Sequence, residues 1–135
     1  MTEATQGVYL DASALVKLVL TEPESDSLRR FLSDGLRGFS SRVAVVEVHR
    51  AVQRQSEVDA GDQVEAVLAG IDVIELDESV ARSAARVHPT ALRSLDAIHL
   101  ASAVAIAEEL AAFVTYDARL ADAVREAGVT VATPA

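Results

Sequence analysis

Apolar residues recur along this chain with two spacings, and the switches between them divide it into short strands and helices. Val8-Tyr9-Leu10 is an apolar run of strand length. Residues 12–20 carry helical spacing. A second helix is expected from Pro23 to about Asp34, with Gly35 and Gly38 marking the turn after it. Phe39 and Ser40 form a second short strand. Ser40 or Ser41 then stands where a cap is needed for a helix bearing Val43, Ala44, Val48 and Ala51. The polar stretch 56–62 interrupts that helical run, which resumes through Val67 and ends at Gly70. Residues 71–76 alternate with period two and predict a strand. Asp77 caps a helix with Val80, Ala81, Ala84 and Val87, stopped by Pro89. Ser94 caps a further helix from Leu95 to about Leu110. Phe113-Val114-Thr115 reads as a strand, Asp117 as the cap of a last helix ended by Gly128, and residues 129–131 as a final strand.

Strands alternating with helices predict an α/β fold of three layers: a central parallel sheet with helices on both faces. The length of 135 residues fits one domain, 1–135. Ligands of such sheets bind beyond the carboxyl ends of the strands, where the strand order switches.

Four carboxylates interrupt this apolar pattern. Asp11 ends the first strand, Glu47 lies on the stripe of Val43, Ala44 and Ala51, Asp96 opens an otherwise apolar helix, and Asp117 follows the Phe113 strand. A buried carboxylate is costly unless it is paired, protonated or bound to a cation. Each has a local alternative. Asp11 and Asp117 fit as helix caps, Glu47 could pair with Arg50, and Asp96 sits in a first turn that favours negative charge. His99 shares a row with Asp96 and Ser102 and reads as a buried, hydrogen-bonded residue rather than a metal ligand. Ser13 is either a helix-start hydrogen bonder or an orienter of water.

Composition narrows the chemistry. The chain has no Cys, so thiolate metal sites are excluded and oxygen or imidazole ligands remain. Oxygen ligands suit magnesium or manganese, ions that commonly serve phosphate chemistry. The net charge of −9 opposes non-specific binding to nucleic acid, so a nucleic-acid enzyme of this charge needs metal, a local basic patch, or both. Lys17 is the only lysine. No secretory signal is expected in residues 1–7 and no membrane span anywhere, which leads to a cytoplasmic expectation.

Four segments, in order, resemble a known family. Tyr9-Leu10-Asp11-Ala12-Ser13-Ala14-Leu15 resembles the opening motif of PIN-domain ribonucleases. The stretch around Val45-Val46-Glu47-Val48, then Leu95-Asp96-Ala97-Ile98-His99, then Thr115-Tyr116-Asp117-Ala118 resemble the second, third and fourth acidic sites. The size is similar to that of VapC toxins of bacterial toxin–antitoxin pairs. The resemblance implies a PIN-like fold and an endoribonuclease using magnesium or manganese. Asp11, Asp96 and Asp117 would hold the metal, and Glu47 would ligate it or orient water. Ser13 and Thr115 would orient substrate or water. It also implies an RNA substrate, a homodimer, and a cognate antitoxin that places a basic side chain in the acidic pocket and an apolar helix against leucines of residues 12–32. Arg119 stands where some relatives carry a further acid. Arg42, Arg50, Arg54, Arg86 and Arg93 are candidate phosphate contacts by proximity to the motifs. A receiver-type domain would need a late lysine, and a dehalogenase-type phosphatase a second Asp at position 13, occupied here by Ser13. A non-catalytic acidic module that captures a basic peptide is the remaining alternative.

Overall fold

The computed structural model describes residues 6–135; the reading of the N-terminus as free of a secretory signal falls mostly on residues 1–5, outside that range. Five strands, β1 (Gly7–Leu10), β2 (Arg37–Ser41), β3 (Asp72–Ile74), β4 (Leu110–Val114) and β5 (Val131–Ala132), form one parallel sheet in the order β3-β2-β1-β4-β5. Helices α1 (Ala12–Val19), α2 (Ser25–Leu32), α3 (Val43–Gln55) and α4 (Gly61–Ala69) follow the first two strands. Helices α5 (Glu78–Ala84) and α6 (Ser94–Ala105) connect β3 to β4, and α7 (Ala118–Glu126) connects β4 to β5.

The period-two alternation of β1 decides which layer covers which face. Val8 and Leu10 pack with Ala14 and Leu15 of α1, Leu28 of α2, Val48 and Val52 of α3 and Val64 of α4. Tyr9 points the other way, into a cluster with Phe39, Phe113, Leu100 of α6, and Leu120 and Val124 of α7. The central strands are buried on both faces, which explains why they read as continuous apolar runs. This is the three-layer arrangement the sequence predicts. No helix among the described residues is long and apolar enough to cross a membrane.

The connection after β1 leads through α1 and α2 towards β2, whereas the one after β4 leads through α7 to β5 on the other side. The carboxyl ends of β1 and β4, paired at Leu10 and Val114, are therefore the point where the strand order switches.

Several element boundaries differ from the sequence expectation. Helix α6 stops at Ala105, and a 3-10 turn at Ala107–Glu109 delivers Leu110 into β4 opposite Gly7. Strand pairing thus overrides an apolar run that is helical by spacing alone. Ser94 is the first residue of α6, and Arg93 holds the cap position without a capping side chain. Neither Ser40 nor Ser41 holds the cap position of α3. Arg42 does, while the Ser41 hydroxyl accepts from the Val43 amide and Ser40 is turned inward. Strand β3 is shorter than residues 71–76, because only Asp72–Ile74 finds partners on β2, and β5 lies at Val131–Ala132 rather than 129–131. Helix α2 begins at Ser25, two residues beyond Pro23. Gly35 and Gly128, with φ of 79° and 84°, adopt the left-handed turns expected at their positions.

Candidate active site

Asp11 immediately follows β1 and caps α1, its Oδ1 accepting from the Ala14 amide at 3.0 Å and from the Ser13 hydroxyl at 2.6 Å. Its Oδ2 accepts from the Thr115 hydroxyl at 2.6 Å. The residue is only 4% exposed. Burial pushes its carboxyl above the ordinary carboxylate range, outweighing the pull of the donors in the other direction. The helix-cap reading is therefore correct; capping uses one oxygen and leaves the buried group lining a cavity.

Asp117 is likewise a cap. Its Oδ1 accepts from the amides of Arg119 and Leu120, and the residue is exposed. Thr115 joins the two acids: its hydroxyl donates to Asp11 and accepts from the Asp117 amide at 3.1 Å. Ser13 makes a parallel link, donating to Asp11 and accepting from the Tyr116 amide at 3.0 Å.

Asp96 lies in the first turn of α6, half-buried. Its carboxyl is raised first by burial and then by the negative charge of Asp117; Asp11 and Glu47 add to this and His99 opposes it. Among the described residues no hydrogen bond contributes. Both oxygens are left for a cation or for water.

Glu47, in the middle of α3, does not pair with Arg50. Its Oε1 lies 2.6 Å from Nε2 of His99. His99 Nδ1 lies in turn 2.7 Å from the Tyr9 hydroxyl, deep in the second core cluster. An ionised Glu47 requires a proton on Nε2, which leaves Nδ1 of a neutral imidazole to accept from Tyr9. The buried, hydrogen-bonded reading of His99 holds. Its two partners were not legible, although its place in the Asp96 row put it near the site.

Asp11, Glu47, Asp96 and Asp117 line one cavity of about 380 Å³, with Ser13, Arg93 and His99. Among the described residues no three His, Asp or Glu side chains form a ready set that could hold one ion. The expected cage is instead four carboxylates around a shared space. This donor set fits magnesium or manganese, which take hard oxygen ligands; magnesium in particular keeps several waters and needs only one or two carboxylates directly. The raised carboxyls of Asp11 and Asp96 mark the electrostatic cost that a cation would relieve.

The candidate phosphate contacts sort differently from their motif proximity. Arg42 is tied to Glu75 by a two-pronged pair. Arg86 lines none of the cavities around the acids, whereas Arg50 and Arg54 line a cleft that includes Glu47 and Ser13. No leucine of residues 12–32 is exposed. Leu15 and Leu28 are in the core, and Leu18, Leu20 and Leu32 are partly buried against it. The exposed apolar side chains beside the site are Val46 and Leu95.

Residues 8–126 match the PIN domain family. The chain is 42% identical to ribonuclease VapC47 of Mycobacterium tuberculosis over 131 residues, covering 94% of this chain and 96% of that protein. It is 44% identical to ribonuclease VapC35 of the same organism over 132 residues, with the same coverage of 94% and 96%. The crystal structure of Mycobacterium tuberculosis VapC20, described as a sarcin-ricin loop cleaving toxin, shares the fold with a TM-score of 0.72 at 16% identity, covering 94% of this chain and 99% of that one. A toxin–antitoxin complex from Klebsiella pneumoniae gives 0.69 at 18% identity, with 95% and 98% covered. The family match runs from β1 to the end of α7 and takes in all four acids of the cavity: this chain belongs to the PIN-domain family.

Proposed function

We propose that this chain is the endoribonuclease toxin of a toxin–antitoxin pair, hydrolysing RNA phosphodiester bonds with magnesium or manganese held in the cavity by Asp11, Asp96 and Asp117, in part through bound water. The observation that carries this reading is the cavity itself. Four acids from four separate parts of the chain line one space at the switch point of a parallel sheet, in a family whose similar members are VapC ribonucleases. A divalent cation there would make hydroxide available near neutral pH and offset the charge that builds on the phosphate.

The protein's own groups do the positioning. Ser13, Thr115 and the Ala14 amide hold Asp11 in one orientation. Asp117 keeps Oδ2 free beyond its capping contacts, and Asp96 keeps both oxygens. His99 holds Glu47 by Oε1, which leaves Oε2 to accept a proton from the attacking water or to align it.

The partner in this reading is a cognate antitoxin. A guanidinium or ammonium from it would pair with the carboxylates and occupy the space a cation needs. The reading also takes residues 1–135 as one domain, homodimeric and cytoplasmic. Its test is cleavage of labelled RNA by the purified protein in chelator and after addition of magnesium or manganese. No cleavage is expected in chelator. Asp11→Asn and Asp96→Asn should lower the metal-restored rate by on the order of 100-fold or more while circular dichroism stays that of the wild type. Full activity in chelator overturns the proposal.

A further inference from the structure

The surface arginines of this acidic chain fall into two groups. Arg29, Arg37, Arg42, Arg82 and Arg125 each face a carboxylate, namely Asp26, Asp72, Glu75, Glu78 and Asp122. Lys17 is held between Glu22 and Glu24. Arg30, Arg50, Arg54, Arg86, Arg93 and Arg119 are exposed and make no such pair among the described residues, although the chain carries 21 Asp and Glu against 12 Lys and Arg; of these six, Arg50, Arg54, Arg93 and Arg119 line clefts beside the four acids. With acids in such excess, exposed guanidiniums that stay unpaired beside an acidic cavity call for an anionic partner from outside.

Their placement is specific. Arg50 and Arg54, one helical turn apart on α3, line a cleft of about 650 Å³. Arg93 and Arg119 line a second cleft of about 770 Å³. The cavity of the four acids lies between the two. It shares Ser13, Glu47 and Leu95 with the first cleft, and Arg93, Asp96 and Asp117 with the second. The clefts share no residue with each other. The result is a trough of adjoining clefts with an acidic middle: Arg50 and Arg54 stand at one end, Arg119 at the other, and Arg93 between the acid cavity and the second cleft.

We propose that Arg50 and Arg54 at one end, and Arg93 and Arg119 at the other, hold backbone phosphates of a single RNA strand on either side of the bond that is cut. The inference rests on the ribonuclease reading and adds the path of the substrate to it. Guanidinium groups suit this task because their planar fork matches phosphate oxygens. Contacts at both ends also answer the repulsion between an RNA backbone and a chain of net charge −9. These four are positioning residues. Arg50, Arg54 and Arg119 lie outside the acid cavity, and Arg93 stands at its edge on the second cleft, so loss of either pair should raise KM more than it lowers kcat.

The test compares Arg50→Ala/Arg54→Ala and Arg93→Ala/Arg119→Ala with Arg30→Ala/Arg86→Ala, which removes the same charge from arginines outside the trough. Binding of a labelled oligouridylate is followed by anisotropy in calcium across a salt series, and cleavage is followed in magnesium. Each trough pair should make the slope of log K against log salt shallower by about 1.4, the value for two phosphate contacts on a single strand, and should raise KM. The control pair should change neither. Equal effects in all three variants would reduce the trough to net charge and overturn the proposal. So would unchanged RNA binding in both trough pairs, including the case where they lose only the antitoxin. If the wild type binds and cleaves neither oligouridylate nor total cellular RNA, the ribonuclease reading itself fails, a result distinct from a wild type that cleaves RNA without help from these arginines.

Discussion

His99 Nε2 lies 2.6 Å from Oε1 of Glu47, joining α6 to α3 across a separation of 52 residues, while the other ring nitrogen of the same imidazole meets the Tyr9 hydroxyl on β1. His99 is 1% exposed and the Glu47 side chain 22%, so the contact runs from the core to the wall of the acid cavity. A glutamate on a half-buried helix face would otherwise have several rotamers open to it. The imidazole selects one by holding Oε1, and Oε2 has no hydrogen-bond partner among the described residues.

His99→Phe should therefore do two separable things. Loss of the buried link to Tyr9 should destabilise the fold by about 1–3 kcal/mol, read by urea unfolding. Release of Glu47 should slow cleavage by roughly 10-fold. His99→Gln keeps a donor for Glu47 and should recover part of the rate. Equal rates for both variants would show that the pairing has no catalytic consequence.

Thr115 links two acids through one hydroxyl, donating to Asp11 and accepting from the Asp117 amide. Thr115→Val keeps the shape and removes both bonds. Asp11 Oδ2 then lacks its donor, and its carboxyl should rise further above the ordinary range. Manganese affinity, measured by calorimetry, should fall by about 10- to 100-fold, with melting temperature affected far less than by an alanine at Asp11. Wild-type manganese affinity in this variant would remove Thr115 from the site.

The carboxyls of Asp11 and Asp96 are both raised by burial, and Asp96 is raised further by Asp117. A group raised in the folded state binds its proton more tightly there than in the unfolded chain. Its stabilising contribution is fully present below the unfolded value and is lost as pH climbs through the folded one. Glu24 and Glu75 are lowered by Lys17 and Arg42 and contribute in the opposite direction, so total stability against pH is not diagnostic. The difference between wild type and Asp96→Asn is. In chelator, the relative stability of the variant should increase from about pH 4 to pH 7, because the amide carries no charge to be desolvated by burial or repelled by Asp117. A difference that stays flat over that window would contradict the electrostatic account of the cavity.

Gly7 opens β1 where the sheet leaves no space for a side chain. A Cβ there would come within 2.6 Å of Phe39 Cε2 and 2.9 Å of the Glu109 carbonyl oxygen. Gly7→Ala should destabilise the protein by about 1–3 kcal/mol through overpacking. The acid cavity lies at the other end of the strand, so residual folded protein should keep normal metal affinity. Denaturant unfolding and calorimetry on the same preparation separate the two effects.

The features the sequence determined by itself are those whose physics is local. Asp11, Asp77 and Asp117 accept from amides two or three residues ahead, so their capping roles are legible from short range. The apolar runs Val8–Leu10 and Phe113–Val114 read as strands because both of their faces are buried, and the order of strands and helices predicts the three layers. The four acids were likewise visible as residues out of place in apolar surroundings. Tertiary structure decided what those acids touch. Thr115 reaches Asp11 across 104 residues, and His99 finds both Tyr9 and Glu47, only because β4 returns to lie beside β1 and α6 packs under the sheet. The same return ends α6 at Ala105, since Leu110 gains a strand partner in Gly7 that no helix could offer it. The pairing of β3 with β2 brings Glu75 to Arg42, whereas Arg50 and Arg54, about two and three turns further along, stay free. Sequence spacing carries hydrogen-bond geometry over about one helical turn; beyond that, which charges meet depends on which strands pair, and that is set by burial of the whole core.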